Sequence, residues 1–126
     1  MTTIQLAVNG TLMRGLELNQ NLLNVGAHFL REAQTDPNYR LWSINDIHPA
    51  MMRVSTGGTN IALEIWDLPA AAIATILEQE PSGLCIGWIV LDNNTTVLGV
   101  LGEAYLCETG TEITQRGGWR AYTEAM

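Results

Sequence analysis

Residues 4–15 read Ile4-Gln5-Leu6-Ala7-Val8-Asn9-Gly10-Thr11-Leu12-Met13-Arg14-Gly15. In residues 4–8 an apolar and a polar residue alternate at first, and the remaining residues are all apolar. This pattern predicts a β-strand that enters a hydrophobic core. Gly10 and Gly15 bracket the loop that follows. Successive backbone N–H groups in such a loop can form a concave cradle for a carboxylate or a developing oxyanion. The loop is therefore either an anion-binding segment or a tight turn into a short helix. Its candidate binding residues are Asn9, Gly10, Thr11, Leu12 and Met13.

The rest of the chain alternates short strand patterns with turns rich in glycine, proline and asparagine. Further strands are predicted over residues 27–33, 39–44, 51–54, 60–68, 85–91 and 96–101. The run from Cys85 to Leu91 is almost continuously apolar, and we expect it to be a central strand. The strand that begins at Thr96 is expected to pair back on it and to continue towards Leu106.

Residues 70–78 are alanine-rich with an apolar stripe, and they predict the one firm helix of the chain. Many short strands with a single helix are typical of a sheet that curves around its core. We therefore predict one α+β domain over residues 1–126. It would be a small mixed β-barrel or strongly curved sheet, with one main helix packed on it.

Charge excludes several classes of partner. The chain carries 13 acidic and 6 basic residues, all six of them arginine, for a net charge of −7. Nucleic acids and anionic membrane surfaces would repel this balance, whereas one arginine in a cleft can still bind a small anion. No apolar run reaches the length of a membrane span and no basic leader precedes the first strand. We expect a cytoplasmic protein with no nucleic-acid or membrane partner.

The cysteine and histidine residues show no metal-binding pattern. Cys85 and Cys107 lie in apolar stretches without a nearby partner, and neither His28 nor His48 has ligand spacing to them. Nucleotide-binding and nucleophile-elbow motifs are also absent from the sequence. We expect two buried thiols, no metal and no cofactor.

Glu80 is the candidate catalytic residue. It follows the predicted helix and precedes Pro81, so extended geometry should carry it away from the helix. Beside an apolar sheet, desolvation would raise its pKa and make it a usable proton shuttle. The alternative is an ordinary solvated glutamate at a helix end.

Arginine side chains offer two candidate counter-charges for a bound anion. Arg120 lies between Trp119 and Tyr122, where it could bind a carboxylate or instead pair with a neighbouring acid while Trp119 fills the open end of the sheet. Arg53 lies inside a strand pattern, as do Arg40 and Glu64. It is either a pocket arginine or part of an internal ion pair.

Several segments together resemble known families. Residues 8–15 resemble the N-terminal loop of gamma-glutamylcyclotransferase-like proteins, which usually reads Tyr-Gly-Ser/Thr-Leu-Met. The segments that resemble the C-terminal domain of allophanate hydrolases are Gly15–Asn19, Thr35 with Tyr39–Leu41, Glu64–Pro69, Gly83–Gly87 and Ile113–Tyr122. The Gly-Gly-Trp-Arg-x-Tyr ending at residues 117–122 is the most specific of them, and the resemblance covers almost the whole chain.

The resemblance implies a gamma-glutamylcyclotransferase-like fold with a pocket under the N-terminal loop. The resemblance to allophanate hydrolases implies one of two roles. The first is loss of carbon dioxide from the small carbamate product of an amidase domain, and the second is a role in assembly. Those domains usually carry a histidine where this chain has Leu12. The cyclotransferases have a catalytic glutamate at the position of Glu80, and a tyrosine at the position of Asn9.

Three functional hypotheses follow. The first is a stand-alone enzyme in which Glu80 moves a proton on a small amide, amine or carbamate, while the loop holds its carboxylate or oxyanion. The second is a non-catalytic binding or assembly module for an amidase-type partner, and the third is decarboxylation of a small carbamate. The sequence leaves the substrate, the partner and a homo-oligomeric state open.

Overall fold

The structure, a computed structural model, describes residues 2–126. Within these residues the chain forms short strands and helices joined by tight turns. The strands are β1 (Thr3–Val8), β2 (His28–Gln34), β3 (Tyr39–Ile44), β4 (His48–Arg53), β5 (Ala62–Pro69), β6 (Leu84–Val90), β7 (Thr96–Gly102) and β8 (Thr111–Glu112). The helices are α1 (Asn19–Asn24), α2 (Ile73–Glu78), α3 (Ala104–Glu108) and α4 (Trp119–Glu124), with 3₁₀ turns at Ala70–Ala72 and Thr114–Arg116.

The strands form two sheets on a common core. One sheet has the order β2-β5-β1-β7-β6 and the other has the order β4-β3-β8. Strand β1 pairs in parallel with β7 and antiparallel with β5. Buried side chains from both sheets, among them Leu6, Leu41, Met51 and Ile65, belong to one hydrophobic cluster. The α+β prediction is therefore confirmed, but the two sheets do not close into a barrel.

The apolar run from Cys85 to Leu91 is at the edge of its sheet, so the prediction of a central strand is wrong. Among the described residues, β6 pairs only with β7, and the side chain of Trp88 is 66% exposed. The helical segment α2 packs against β6, and Leu84 and Ile86 pack against the main core. The apolar character of the run therefore comes from cover on its faces and not from two neighbouring strands.

The predicted continuation of β7 towards Leu106 is also wrong, because the chain turns into helix α3 after Gly102. At Gly102 a Cβ atom would lie 2.7 Å from the Cβ of Ala50, so the strand ends in close contact with the second sheet. The carbonyl of Glu103 then accepts hydrogen bonds from the N–H groups of Leu106 and Cys107, which begins the helix.

The two sheets are joined by Tyr39, whose side chain is fully buried. Its hydroxyl oxygen accepts a hydrogen bond of 2.9 Å from the backbone N–H of Val90 on β6. This contact holds β3 against the larger sheet, while the start of β4 approaches the loop after β1 where Pro49 packs on Gly10. No helix within residues 2–126 has the length and hydropathy needed to cross a membrane.

Candidate functional site

A small cavity lies where the loop after β1 meets the start of β4 and the segment after α2. Its lining residues are Val8, Asn9, Gly10, Thr11, Leu12, His48, Pro49, Glu80, Leu84 and Val100. Its volume of about 10 Å³ is close to that of one water-sized sphere. The structure therefore brings Glu80 together with residues 9–12 of the predicted anion-binding loop.

Glu80 reaches the cavity because helix α2 ends two residues before it. Its backbone N–H donates to the carbonyl of Leu77 at 3.1 Å, which closes the last turn, and Pro81 prevents the helix from continuing. The Oε2 atom is buried and accepts no hydrogen bond from any described residue. Burial raises the pKa of Glu80 to about 7, because the carboxylate loses its hydration there.

The loop from Asn9 to Met13 turns its carbonyl groups towards protein donors. The bonds run from Met13 N to Gly10 O at 3.0 Å, from Leu18 N to Thr11 O at 2.9 Å and from Asn19 Nδ2 to Leu12 O at 2.9 Å. In contrast, the N–H groups of Gly10, Thr11 and Leu12 donate no hydrogen bond to any residue of the described chain. These three groups, called the cradle below, lie in residues that line the cavity, and they remain available to an anion.

Two predicted loop residues have different roles from those expected. The N–H of Met13 is engaged in the turn, and Met13 does not line the cavity. The side-chain amide of Asn9 donates to the carbonyl of Val100 at 2.9 Å, so it fastens the loop to β7. The cradle is therefore shorter than predicted, and Asn9 is an anchor for it.

Gly10 is required by close packing. A Cβ atom at this position would lie 2.5 Å from Cδ of Pro49, which is shorter than any real carbon contact. The loop can therefore approach β4 only if residue 10 has no side chain. This approach closes one wall of the cavity.

His48 lines the cavity, although sequence reasoning assigned it no role. It is the first residue of β4 and is buried, and its Nδ1 lies 3.0 Å from the carbonyl oxygen of Pro49. A carbonyl only accepts, so Nδ1 carries the proton and Nε2 is the nitrogen left for a ligand. His48 reaches the loop only because the smaller sheet packs against it, so a search for ligand spacing could not find it. No local pattern in the sequence marks this position.

Arg53 lies away from the cavity. Its side chain is exposed and its guanidinium lies 4.0 Å from the carboxylate of Asp36, beside a shallow depression of the surface. In this structure it does not meet Glu80. Its loose contact with Asp36 is at the surface, so it is not the predicted internal ion pair either.

Arg120 also lies outside the cavity, and the alternative interpretation describes it. Its Nη2 donates to Oε2 of Glu64 at 3.1 Å, while Trp119 beside it is buried. The same carboxylate accepts hydrogen bonds from Arg14, the residue after Met13. Arg120 thus contacts the far end of the loop and not the cavity itself.

The described residues contain no group of three or more His, Cys, Asp or Glu side chains arranged to hold a metal ion. Cys107 is buried and Cys85 is partly buried, and both are free thiols. Burial raises the pKa of Cys107 to about 11, so it is an inert thiol near neutral pH. The chemistry available at the cavity is therefore that of Glu80, His48 and the cradle.

Residues 4–124 match the family described as the allophanate hydrolase C-terminal domain. The chain belongs to this family. It is 30% identical to the urea amidolyase of Saccharomyces cerevisiae over 132 residues, which cover 99% of this chain and 7% of that protein. The match to the family confirms the resemblance seen in the sequence.

Solved structures give the same assignment. A protein specific to uropathogenic Escherichia coli is 57% identical, with a TM-score of 0.97 over 100% of this chain and 99% of that chain. The allophanate hydrolase of Kluyveromyces lactis is 27% identical, with a TM-score of 0.92 over 99% of this chain and 22% of that enzyme. This family domain thus corresponds to a small part of the amidolyase and hydrolase. A gamma-glutamyl cyclotransferase, 12% identical with a TM-score of 0.60, shares the fold.

Proposed function

We propose that this domain is a small-molecule enzyme in which Glu80 exchanges a proton with a substrate whose oxygen is held by the cradle. The observation that carries the proposal is the buried Oε2 atom of Glu80, which has no protein partner. Burying a carboxyl without a hydrogen bond is costly, and side chains in this state concentrate at functional sites.

The acid–base properties of the site suit catalysis near neutral pH. With a pKa of about 7, Glu80 is present in both protonation states and can either give or take a proton. The low-dielectric surroundings that raise its pKa also strengthen hydrogen bonds from the cradle to a charged oxygen.

The cradle favours one class of reaction over another. Three N–H donors accelerate a reaction when negative charge develops on the bound oxygen, as it does when water or a substrate amine adds to an amide carbonyl and the amide nitrogen then leaves with a proton. In carbamate decarboxylation the bound carboxylate loses its charge, so the same donors would stabilise the reactant more than the transition state. Acid–base chemistry on a small amide is therefore the first candidate, and decarboxylation of a small carbamate is the alternative.

Cavity size limits the substrate. A volume of about 10 Å³ admits only the reacting group of a ligand unless surrounding side chains move. The remaining nitrogen of His48 is an acceptor in the neutral ring, so it suits a substrate N–H group. Once surrounding side chains move, the site would take a small planar group with an oxygen at the cradle and an N–H at His48.

The test is turnover of two substrate panels by the wild-type protein and by Glu80→Gln. One panel contains small amides, including gamma-glutamyl amines, and is read by amine release. The other contains small carbamates and is read by release of carbon dioxide. We expect Glu80→Gln to lose at least about a hundredfold in rate, as for the removal of a general acid–base group. Full activity in that variant would refute the proposed role of Glu80.

The exposed edge strand β6 favours a second candidate function. Trp88 on β6 is 66% exposed, and an edge strand with a large apolar side chain can receive a partner. The domain corresponds to 22% of an allophanate hydrolase, so association with an amidase-type protein is consistent with its relatives. Co-purification with such a protein, lost in Trp88→Ser but kept in Glu80→Gln, would support this function separately from catalysis.

A further inference from the structure

Glu64 is a buried carboxylate that, unlike Glu80, is fully engaged in hydrogen bonds. Its residue is 2% exposed on strand β5. It accepts bonds from Arg14 N at 2.9 Å, Arg14 Nε at 3.1 Å, Trp66 Nε1 at 3.1 Å and Arg120 Nη2 at 3.1 Å. Burial acts to raise the pKa of Glu64, but these donors outweigh it, and the pKa lies below its usual value. The carboxylate is therefore charged and held from several sides.

These bonds fasten the end of the loop that carries the cradle. Arg14 comes two residues after Leu12, and both its backbone N–H and its side chain bind Glu64. The guanidinium of Arg14 also stacks 3.7 Å above the ring of Phe29. Residue 14 is thus fixed to strands β5 and β2, although no regular strand or helix follows it until Asn19.

The C-terminal helix completes the same cluster. Arg120 Nη2 donates to the carbonyl of Arg14 at 2.6 Å and to Glu64 at 3.1 Å. One side chain of α4 therefore binds both the loop end and the carboxylate that holds it. The Gly-Gly-Trp-Arg segment brings this side chain into place, because Trp119 is buried in the core.

We propose that Glu64 and Arg120 are positioning residues, which hold the loop so that its three free N–H groups keep one arrangement beside the cavity. This inference rests on the proposed function of the cradle, but it concerns residues outside the cavity. The other anchors of the loop bind its carbonyls and the Asn9 side chain, while Glu64 is the contact that fixes its far end. Without it, the N–H groups would sample several directions and bind an anion less well.

The test compares variants of this cluster with a matched ion pair elsewhere. Arg120→Met removes two hydrogen bonds but leaves Glu64 bound to Arg14, so it should fold even if Glu64→Gln does not. Arg120→Lys restores the charge and a donor. The control is Glu112→Gln, which breaks the pair between Arg40 and Glu112 on the smaller sheet.

Two readouts separate the positioning role from general destabilisation. Backbone ¹⁵N order parameters of residues 10–12 should fall from about 0.85 to about 0.6 in Arg120→Met. They should stay unchanged in Glu112→Gln at equal loss of global stability. Binding of sodium formate, followed by the amide shifts of residues 10–12, should weaken about tenfold in Arg120→Met and recover in Arg120→Lys, since tenfold corresponds to one well-placed hydrogen bond.

The outcomes distinguish this inference from the proposed function. Equal order parameters in Arg120→Met and Glu112→Gln would overturn the positioning role. If the wild-type protein does not bind formate, the cradle itself fails as an anion site, and the order parameters still decide whether Arg120 orders the loop. If the loop stays ordered in every variant and formate still binds, the cradle remains an anion site, but Glu64 and Arg120 do not position it.

Discussion

Replacing Glu80 with glutamine should stabilise the protein at alkaline pH. The substitution keeps the shape of the side chain and removes its ionisation. A carboxyl whose pKa rises from 4.5 to about 7 on folding makes the ionised folded state less stable by about 3 kcal/mol. Part of the residue reaches the surface, so solvent screening reduces this to about 2–3 kcal/mol.

The direction of the pH dependence follows from proton binding. Between pH 4.5 and about 7 the folded state holds a proton on Glu80 that the unfolded state has released. The free energy of unfolding contributed by this group is therefore fully present below pH 4.5 and is lost as the pH rises through about 7. Wild-type protein and Glu80→Gln should be about equally stable at acid pH and differ most above pH 8.

Urea unfolding at several pH values and constant ionic strength measures this effect. At pH 8 we expect Glu80→Gln to exceed the wild type by about 2–3 kcal/mol, with a melting temperature about 10 °C higher. The matched control is Glu78→Gln, which alters an exposed glutamate two residues earlier and should follow the wild type. Parallel stability curves for wild type and Glu80→Gln from pH 4 to pH 9 would show that Glu80 is solvated, and would remove the basis of the site.

Three further changes test the packing and electrostatics around the site. Gly10→Ala should cost about 1–3 kcal/mol of stability and weaken formate binding, because the new methyl group would meet Pro49; chemical denaturation and titration measure both effects. Tyr39→Phe leaves the N–H of Val90 without its acceptor, so it should lower the free energy of unfolding by about 1–2 kcal/mol while leaving formate binding unchanged. The carboxylate of Glu112, whose pKa is lowered to about 2, stabilises the fold above pH 4.5 and loses that effect as the pH falls, so Glu112→Gln should be less sensitive to acid unfolding than the wild type.

Local patterns predicted much of the fold. The alternation of residues 4–8 and the alanine-rich helix at residues 70–78 correspond to β1 and to the 3₁₀ turn with α2. The edge position of β6 could not be read from its residues, since an apolar run has the same appearance whether strands or helices cover it. Strand order depends on pairing between distant segments, which one sequence does not display.

The candidate site likewise contains residues that local patterns predict and residues that only the packing of distant segments brings together. Glu80 and the glycine-bracketed loop were identified because a helix exit before proline and a loop after a strand are local signals. His48 was missed because it reaches the cavity only through the packing of the smaller sheet against the loop. Arg120 lies by Glu64 for an equally long-range reason, since the two residues are 56 positions apart in the sequence.

The contrast between Glu64 and Glu80 supports the proposal that the cavity is the functional site of this domain. Glu64 shows that the fold can satisfy a buried carboxylate, since four donors surround it. Glu80 lies in the same protein, yet its Oε2 receives no hydrogen bond from the described chain, and burial raises its pKa. A side chain retained only for stability would gain from a partner or from an apolar replacement, because an unpaired buried carboxyl destabilises the fold. Departures of this kind from local consistency are expected where a residue acts on a ligand, so we infer that the missing partner of Glu80 is supplied by the substrate.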